Sequence, residues 1–113
     1  MVEMPVDPAH LRQRMSEVLE AMSELRRLTL KPYSTLSLEE KYSIRYHVIV
    51  LAEAVGSICL HIATEDFSRE PLSYSECFRM LEEENIFDCA KDLIGIMRLR
   101  NLLVHRYWTI DNA

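Results

Sequence analysis

Apolar residues recur at helical spacing along most of the chain. From Pro8 to about Thr29 they return at steps of three and four residues, which is typical of a helix with one buried face. The members of this apolar row are Leu11, Met15, Val18, Met22 and Leu25. After a break at 31–34, Ser37 and Glu40 form a capping box, which predicts a second helix that continues to about Thr64.

The second predicted helix is apolar on more than one face. Its main apolar row is flanked on neighbouring faces by further aliphatic residues. The row consists of Ile44, Val48, Leu51, Val55, Ile58 and Ile62, and the flanking residues are Ile49, Val50, Ala52, Ala54 and Leu60. A helix of this kind is buried on several sides, either inside a bundle or at an oligomer interface.

Two more helices complete the pattern. Ser73 and Glu76 form a second capping box ahead of a short helix that ends at 82–84, and Asp88 is positioned to cap a fourth helix. The predicted inward residues of the third helix are Cys77, Phe78 and Leu81, and the fourth helix carries the row Leu93, Ile94, Met97, Asn101 and Val104. No strand pattern or repeat interrupts this order. Residues 1–113 are therefore predicted to form a single all-α domain, an antiparallel four-helix bundle.

The composition is that of an acidic globular protein. Its 113 residues include 13 Lys and Arg against 18 Asp and Glu, and the net charge of −5 disfavours non-specific binding to duplex DNA. The longest run without a charged residue, from Ala54 to Thr64, is shorter than a membrane span, and the N-terminal residues do not resemble a secretory signal. Three cysteines without a C-x-x-C pair argue against a disulfide framework. We therefore expect a cytoplasmic protein that is not bound to membranes.

The positive charge is concentrated near the C-terminus. Residues from Lys91 onward carry a net +2, whereas residues 1–90 carry −7. The cations surround His105, and Tyr107 follows it by two positions. Imidazole transfers protons near neutral pH, guanidinium groups hold phosphate oxygens, and a phenol can stack on a base, so the segment suits phosphodiester cleavage. No carboxylate cluster suggests a metal, which favours metal-independent attack of an RNA 2′-hydroxyl on its own phosphate.

Helical geometry limits how these side chains can meet. Arg100 and His105 lie about 140° apart on an ideal helix, whereas Asn101 shares a face with His105, and Arg100 shares another with Tyr107. Either the helix is distorted near His105, or a second chain contributes the same residues to the site. A structural interpretation also stays open, because His and Arg in the last turns of a helix are favourable partners of its dipole.

The segment from Arg100 to Tyr107 resembles the signature of the HepT-like toxin ribonucleases, which belong to the HEPN superfamily. Their pattern is Arg, four residues, His, any residue and Tyr, and Arg100, His105 and Tyr107 match it. The order of the helices is similar too, with a long apolar second helix, a short third helix after a loop containing Pro71, and the motif on the fourth. The resemblance covers nearly the whole chain.

This resemblance implies a site. Arg100 and His105 would be the catalytic pair of a metal-independent endoribonuclease that needs no cofactor, with both copies of a homodimer lining one cleft. Asn101 would support the geometry of the pair. Arg98 and Arg106 are the candidates for contact with the substrate, single-stranded RNA.

The resemblance also implies a type VII-like toxin–antitoxin module. Tyr107 would be the residue to which a minimal nucleotidyltransferase antitoxin attaches AMP, and the added anion would block RNA beside Arg100 and His105. Members of the family commonly continue into a further helix after the motif, which we expect to be missing here. The alternative function is a non-catalytic helical partner, a nucleotide-binding or dimerisation subunit of such a nucleotidyltransferase, in which Arg100 and His105 contact its substrate.

Overall fold

Four α-helices and one short 3-10 helix make up the part of the chain that the structure describes. This computed structural model describes the backbone of residues 8–111 and the side chains of residues 9–105. The helices are α1 (Pro8–Thr29), α2 (Leu38–Phe67), α3 (Tyr74–Glu83) and α4 (Ala90–Asp111), and the 3-10 helix spans Tyr33–Thr35. No strand occurs within residues 8–111. The predicted all-α four-helix bundle is confirmed.

The capping box at the start of α2 forms as predicted. The Ser37 hydroxyl accepts the Glu40 N–H at 3.1 Å, and the Glu40 carboxylate accepts the Ser37 N–H at 2.9 Å. The predicted end at Thr64 was three residues short, because Phe67 continues the helix and packs against the core. Ser68 ends the helix in a left-handed conformation, with φ of 52°.

The starts of α3 and α4 depart from their predicted caps in detail. Ser73 caps α3 by accepting the Glu76 N–H at 3.1 Å, but the Glu76 carboxylate accepts the N–H of Leu72 rather than that of Ser73. In α4 the first helical hydrogen bond is accepted by the Cys89 carbonyl, so the predicted cap, Asp88, lies one residue too early. The adjacent Ala90 N–H is satisfied from α3, by a Glu82 oxygen at 3.3 Å.

The core forms on both sides of α2. One cluster joins α2 to α3 and α4, and a smaller one joins α2 to α1. Cys77, Phe78 and Leu81 are buried as predicted. Met15, Asn101 and Val104 belong to the predicted rows but are exposed, Met15 at 44% and Val104 at 43%. Val18 is buried as predicted, and Ala21, Leu28 and, in α4, Leu103 are buried although the predicted rows did not include them.

Helix α2 is the central helix of the bundle, because it packs against all three others. By length and composition alone α2 could cross a membrane, with a mean hydropathy of 1.7 over its most apolar window. The apolar window of α2 contains the charged residue Glu53, whereas the runs considered in the sequence contain no charged residue. A core helix of a bundle has the same composition, and the absence of membrane binding stays a prediction.

Candidate active site

One side of α4 presents His105 in a surface cavity. Arg98, Asn101 and His105 are spaced by three and four residues, so they lie along one face of the helix. Together with Leu102 they line a cavity of about 470 Å³. All four of these residues are exposed. The cavity therefore offers an accessible imidazole beside an amide and a guanidinium.

Arg100 lies outside this cavity and is directed towards α2. Its Nε donates a hydrogen bond to Glu53 Oε2 at 3.0 Å, and its Nη2 donates to the same oxygen. Its side chain is 23% exposed, against 47% for that of Glu53. A hydrogen-bonded pair with one half-buried partner holds the guanidinium in one orientation more firmly than a fully solvated pair does.

Asn101 connects the two sides of α4. Its Oδ1 accepts a hydrogen bond from Arg100 Nη1 at 2.8 Å, and the same residue lines the cavity beside His105. A chain of contacts thus runs from Glu53 through Arg100 to Asn101 and the cavity wall. Asn101 therefore links Arg100 to the cavity, because it contacts the guanidinium and lies one helical turn from His105.

Glu53 is a residue of this site that the sequence analysis missed. A signal was available, since Glu53 is the one acidic residue between Glu40 and Glu65, on the most apolar helix of the chain. A carboxylate at such a position is stabilised when a cation pairs with it. The sequence could not identify that cation, because Arg100 lies 47 residues away.

The backbone of α4 is continuous through the motif. The helix runs as one α-helical segment from Ala90 to Asp111, so the described backbone has no break at His105. The side chains of Arg106 and Tyr107 lie outside the described residues. This backbone disfavours a distorted helix, which was one of the two explanations for how Arg100 and His105 could meet.

Three other side chains with reactive groups, Cys59, Cys77 and His47, are buried or held by a contact within their helix. Burial raises the pKa of Cys59 to about 12 and also raises the pKa of Cys77, so neither thiol is activated as a nucleophile. His47 Nδ1 lies 2.8 Å from the Ser43 carbonyl oxygen, one turn earlier in α2. Among the described residues, no group of three or more His, Cys, Asp and Glu side chains could hold a metal ion.

Comparison with protein-family models matches residues 15–113 to the family described as Ribonuclease HepT-like. The match spans most of the chain, and the protein therefore belongs to the HepT-like ribonuclease family. This confirms the resemblance inferred from Arg100, His105 and Tyr107. Comparison with curated proteins and with solved structures gives no match.

Proposed function

We propose that this protein is the toxin of a type VII-like toxin–antitoxin module and cleaves single-stranded RNA in the cytoplasm without a metal ion. Arg100 and His105 are the catalytic pair in this proposal, and Asn101 supports them. The observation that carries the proposal is the chain of contacts from Glu53 through Arg100 to Asn101, which ends beside His105. Membership of the HepT-like ribonuclease family supports the same reaction class.

The proposed reaction is a transfer within the RNA strand. His105 takes the proton of a 2′-hydroxyl, and the 2′-oxygen attacks the adjacent phosphorus. The bond from phosphorus to the 5′-oxygen breaks, and that oxygen leaves with a proton. The products are a 2′,3′-cyclic phosphate and a free 5′-hydroxyl, and no step requires a metal.

Arg100 stabilises the charge that develops on the phosphate oxygens. A guanidinium has five N–H donors, and three hydrogen bonds of Arg100 go to Glu53 and Asn101. The remaining two donors are available to a phosphate. Because the guanidinium is already oriented, less conformational freedom is lost when the phosphate binds.

A homodimer completes the site in this proposal. Arg100 and His105 lie on different sides of a continuous α4, which supports a cleft where the two copies of the motif meet. In such a cleft, His105 of the second copy supplies the proton that the departing 5′-oxygen takes. The acidic surface of residues 1–90 confines the polyanion to this cleft by repulsion.

AMP on Tyr107 is the proposed off switch. In the register of α4, residue 107 follows residue 100 by two turns and returns to the same side of the helix. An adenylyl group there adds a phosphate that competes with RNA for the guanidinium. The enzyme that attaches it is a minimal nucleotidyltransferase, the antitoxin of the pair.

Two experiments test this function. Expression of the wild type should arrest growth and degrade RNA, while expression of His105→Ala should do neither, and equal toxicity of the two proteins would contradict the nuclease. Incubation with the cognate nucleotidyltransferase and ATP should add the mass of AMP to the peptide that contains Tyr107. An unchanged peptide mass would contradict the switch. Binding to that enzyme without RNA cleavage would favour the non-catalytic partner.

A further inference from the structure

A second cationic cavity lies next to the candidate active site. It has a volume of about 380 Å³ and lies between α3 and α4. Its charged lining residues are Arg79, Glu82, Lys91 and Arg98. Arg98 also lines the cavity that contains His105, so the two cavities share a wall and form one continuous surface.

The positive residues of this surface follow the axis of α4. Lys91, Arg98 and His105 are separated by seven residues each, a spacing that places them along one face of the helix. At the rise of an α-helix, the distance from Lys91 to His105 is about 21 Å. Arg79 adds a cation from α3 at the end of the row remote from His105.

The three cations of this surface are available to a ligand. Arg79, Lys91 and Arg98 are exposed, and none of them forms an ion pair or hydrogen bond with another described residue. The single anion among them, Glu82, is engaged with the Ala90 N–H at 3.3 Å. By contrast, Arg14, Arg27, Lys31, Arg69 and Arg100 all have carboxylate partners.

We propose that Arg79, Lys91 and Arg98 bind the phosphates of the RNA strand on one side of the bond that is cut. This inference rests on the proposed function, since His105 marks the end of the row at which cleavage occurs. A row of cations about 21 Å long holds several nucleotides of an extended strand. Leu102 lies between Arg98 and His105, is exposed, and provides an apolar contact for a base. Affinity therefore depends on strand length, and contact with phosphates makes binding insensitive to sequence.

The test measures RNA binding to a protein that does not cut. In a His105→Ala background, Arg79→Gln with Lys91→Gln is compared with Arg12→Gln and Arg26→Gln, which change the net charge equally at exposed positions of α1. The probes are a fluorescent diuridylate and a dodecauridylate. The first pair of substitutions should weaken binding of the dodecamer about tenfold and lower the salt slope by about 1.4. It should leave binding of the diuridylate unchanged, since a dinucleotide bound at residue 105 is too short to reach Lys91.

Several outcomes overturn the inference. Unchanged binding of the dodecamer by the Arg79 and Lys91 variant does so, and so does an equal loss in the Arg12 and Arg26 control, which would reduce the effect to net charge. Unchanged RNA binding with loss of binding to the nucleotidyltransferase would make the surface a protein interface. Cleavage is measured separately with His105 intact. If only this inference is wrong, the protein still cleaves RNA but the Arg79 and Lys91 substitutions do not weaken binding. If only the nuclease proposal is wrong, no cleavage is observed but binding still depends on strand length.

Discussion

Glu53 of α2 accepts two hydrogen bonds from the guanidinium of Arg100 in α4, one of them at 3.0 Å from Nε. The two residues are 47 positions apart in the chain. This contact joins the central helix of the bundle to the motif helix. It gives the guanidinium a fixed orientation before any phosphate arrives, which is the condition for electrostatic stabilisation without reorganisation.

Substitution of Glu53 by Gln should lower kcat about tenfold and leave KM nearly unchanged, because a neutral partner orients Arg100 less firmly. Glu53→Ala should lower kcat further, since it also removes the hydrogen-bond acceptor. The measurement is steady-state cleavage of a labelled single-stranded RNA. The matched control is Glu20→Gln, since Glu20 is exposed and lines the same groove between α1 and α2 as Glu53. Equal rates for Glu53→Gln and Glu20→Gln would contradict a positioning role.

Arg100→Lys should reduce the rate about a hundredfold although the charge is kept. An ammonium group has three donors, so it cannot donate to Glu53 and Asn101 and still present two donors to a phosphate. The rate is compared with that of Arg26→Lys, an exposed position of α1 far from the motif along the chain. Full activity of Arg100→Lys would show that charge alone suffices, and that the contacts with Glu53 and Asn101 do not serve the reaction.

The two glycines of the chain should respond oppositely to substitution by alanine. A Cβ at Gly56 would lie 2.8 Å from Tyr74 Cε1, so the ring at the start of α3 has to move, and we expect the free energy of unfolding to fall. A Cβ at Gly95 meets no atom within 4 Å. There the better helix propensity of alanine should raise the free energy of unfolding by about 1 kcal/mol. Urea unfolding measures both, and equal changes at the two sites would contradict the close packing of α2 on Tyr74.

The cysteines should differ in reactivity towards iodoacetamide. Because burial raises the pKa of Cys59 to about 12, its thiolate fraction at pH 8 is on the order of one in ten thousand. Cys89 is only half-buried, and we expect it to react first, with Cys59 and Cys77 protected until the chain unfolds. Mass spectrometry of the alkylated peptides gives the order. Equal rates at Cys59 and Cys89 would contradict the buried position of Cys59.

The raised pKa of Cys59 also predicts how the free energy of unfolding depends on pH. A folded pKa above the unfolded value means that the stabilisation is complete below about pH 8.5, the pKa of a cysteine in an unfolded chain. It is lost as the pH rises towards 12. Cys59→Ser should weaken this alkaline loss, and an unchanged alkaline limb of the stability curve would contradict the assignment to Cys59.

The capping residues made most of the fold predictable from the sequence. Ser37 and Ser73 act locally, so the starts of α2 and α3 could be located without knowledge of the packing. The end of α2 was not predictable in this way. Phe67 is retained in the helix because it packs against the core, and a core contact cannot be read from neighbouring residues.

The sequence predicted the shared face of Asn101 and His105 but not the direction of Arg100. The spacing of Asn101 and His105 sets their shared face, and the structure places both in one cavity. The direction of Arg100 depends on Glu53, a partner that the sequence does not specify because the packing of α4 on α2 decides which carboxylate it meets. In the same way, the packing of α3 on α4, which the sequence does not specify, brings Arg79 beside Lys91 and Arg98.

The central claim is that Arg100 and His105 cleave RNA by attack of the 2′-hydroxyl. The most direct measurement is product analysis after incubation of the purified protein with a labelled RNA in the presence of EDTA. The account predicts fragments with 2′,3′-cyclic phosphate ends, no cleavage by His105→Ala, and no cleavage of an RNA whose 2′-hydroxyl at the cut position is replaced by hydrogen. Cleavage of that deoxy substrate, or wild-type activity of His105→Ala, would contradict it.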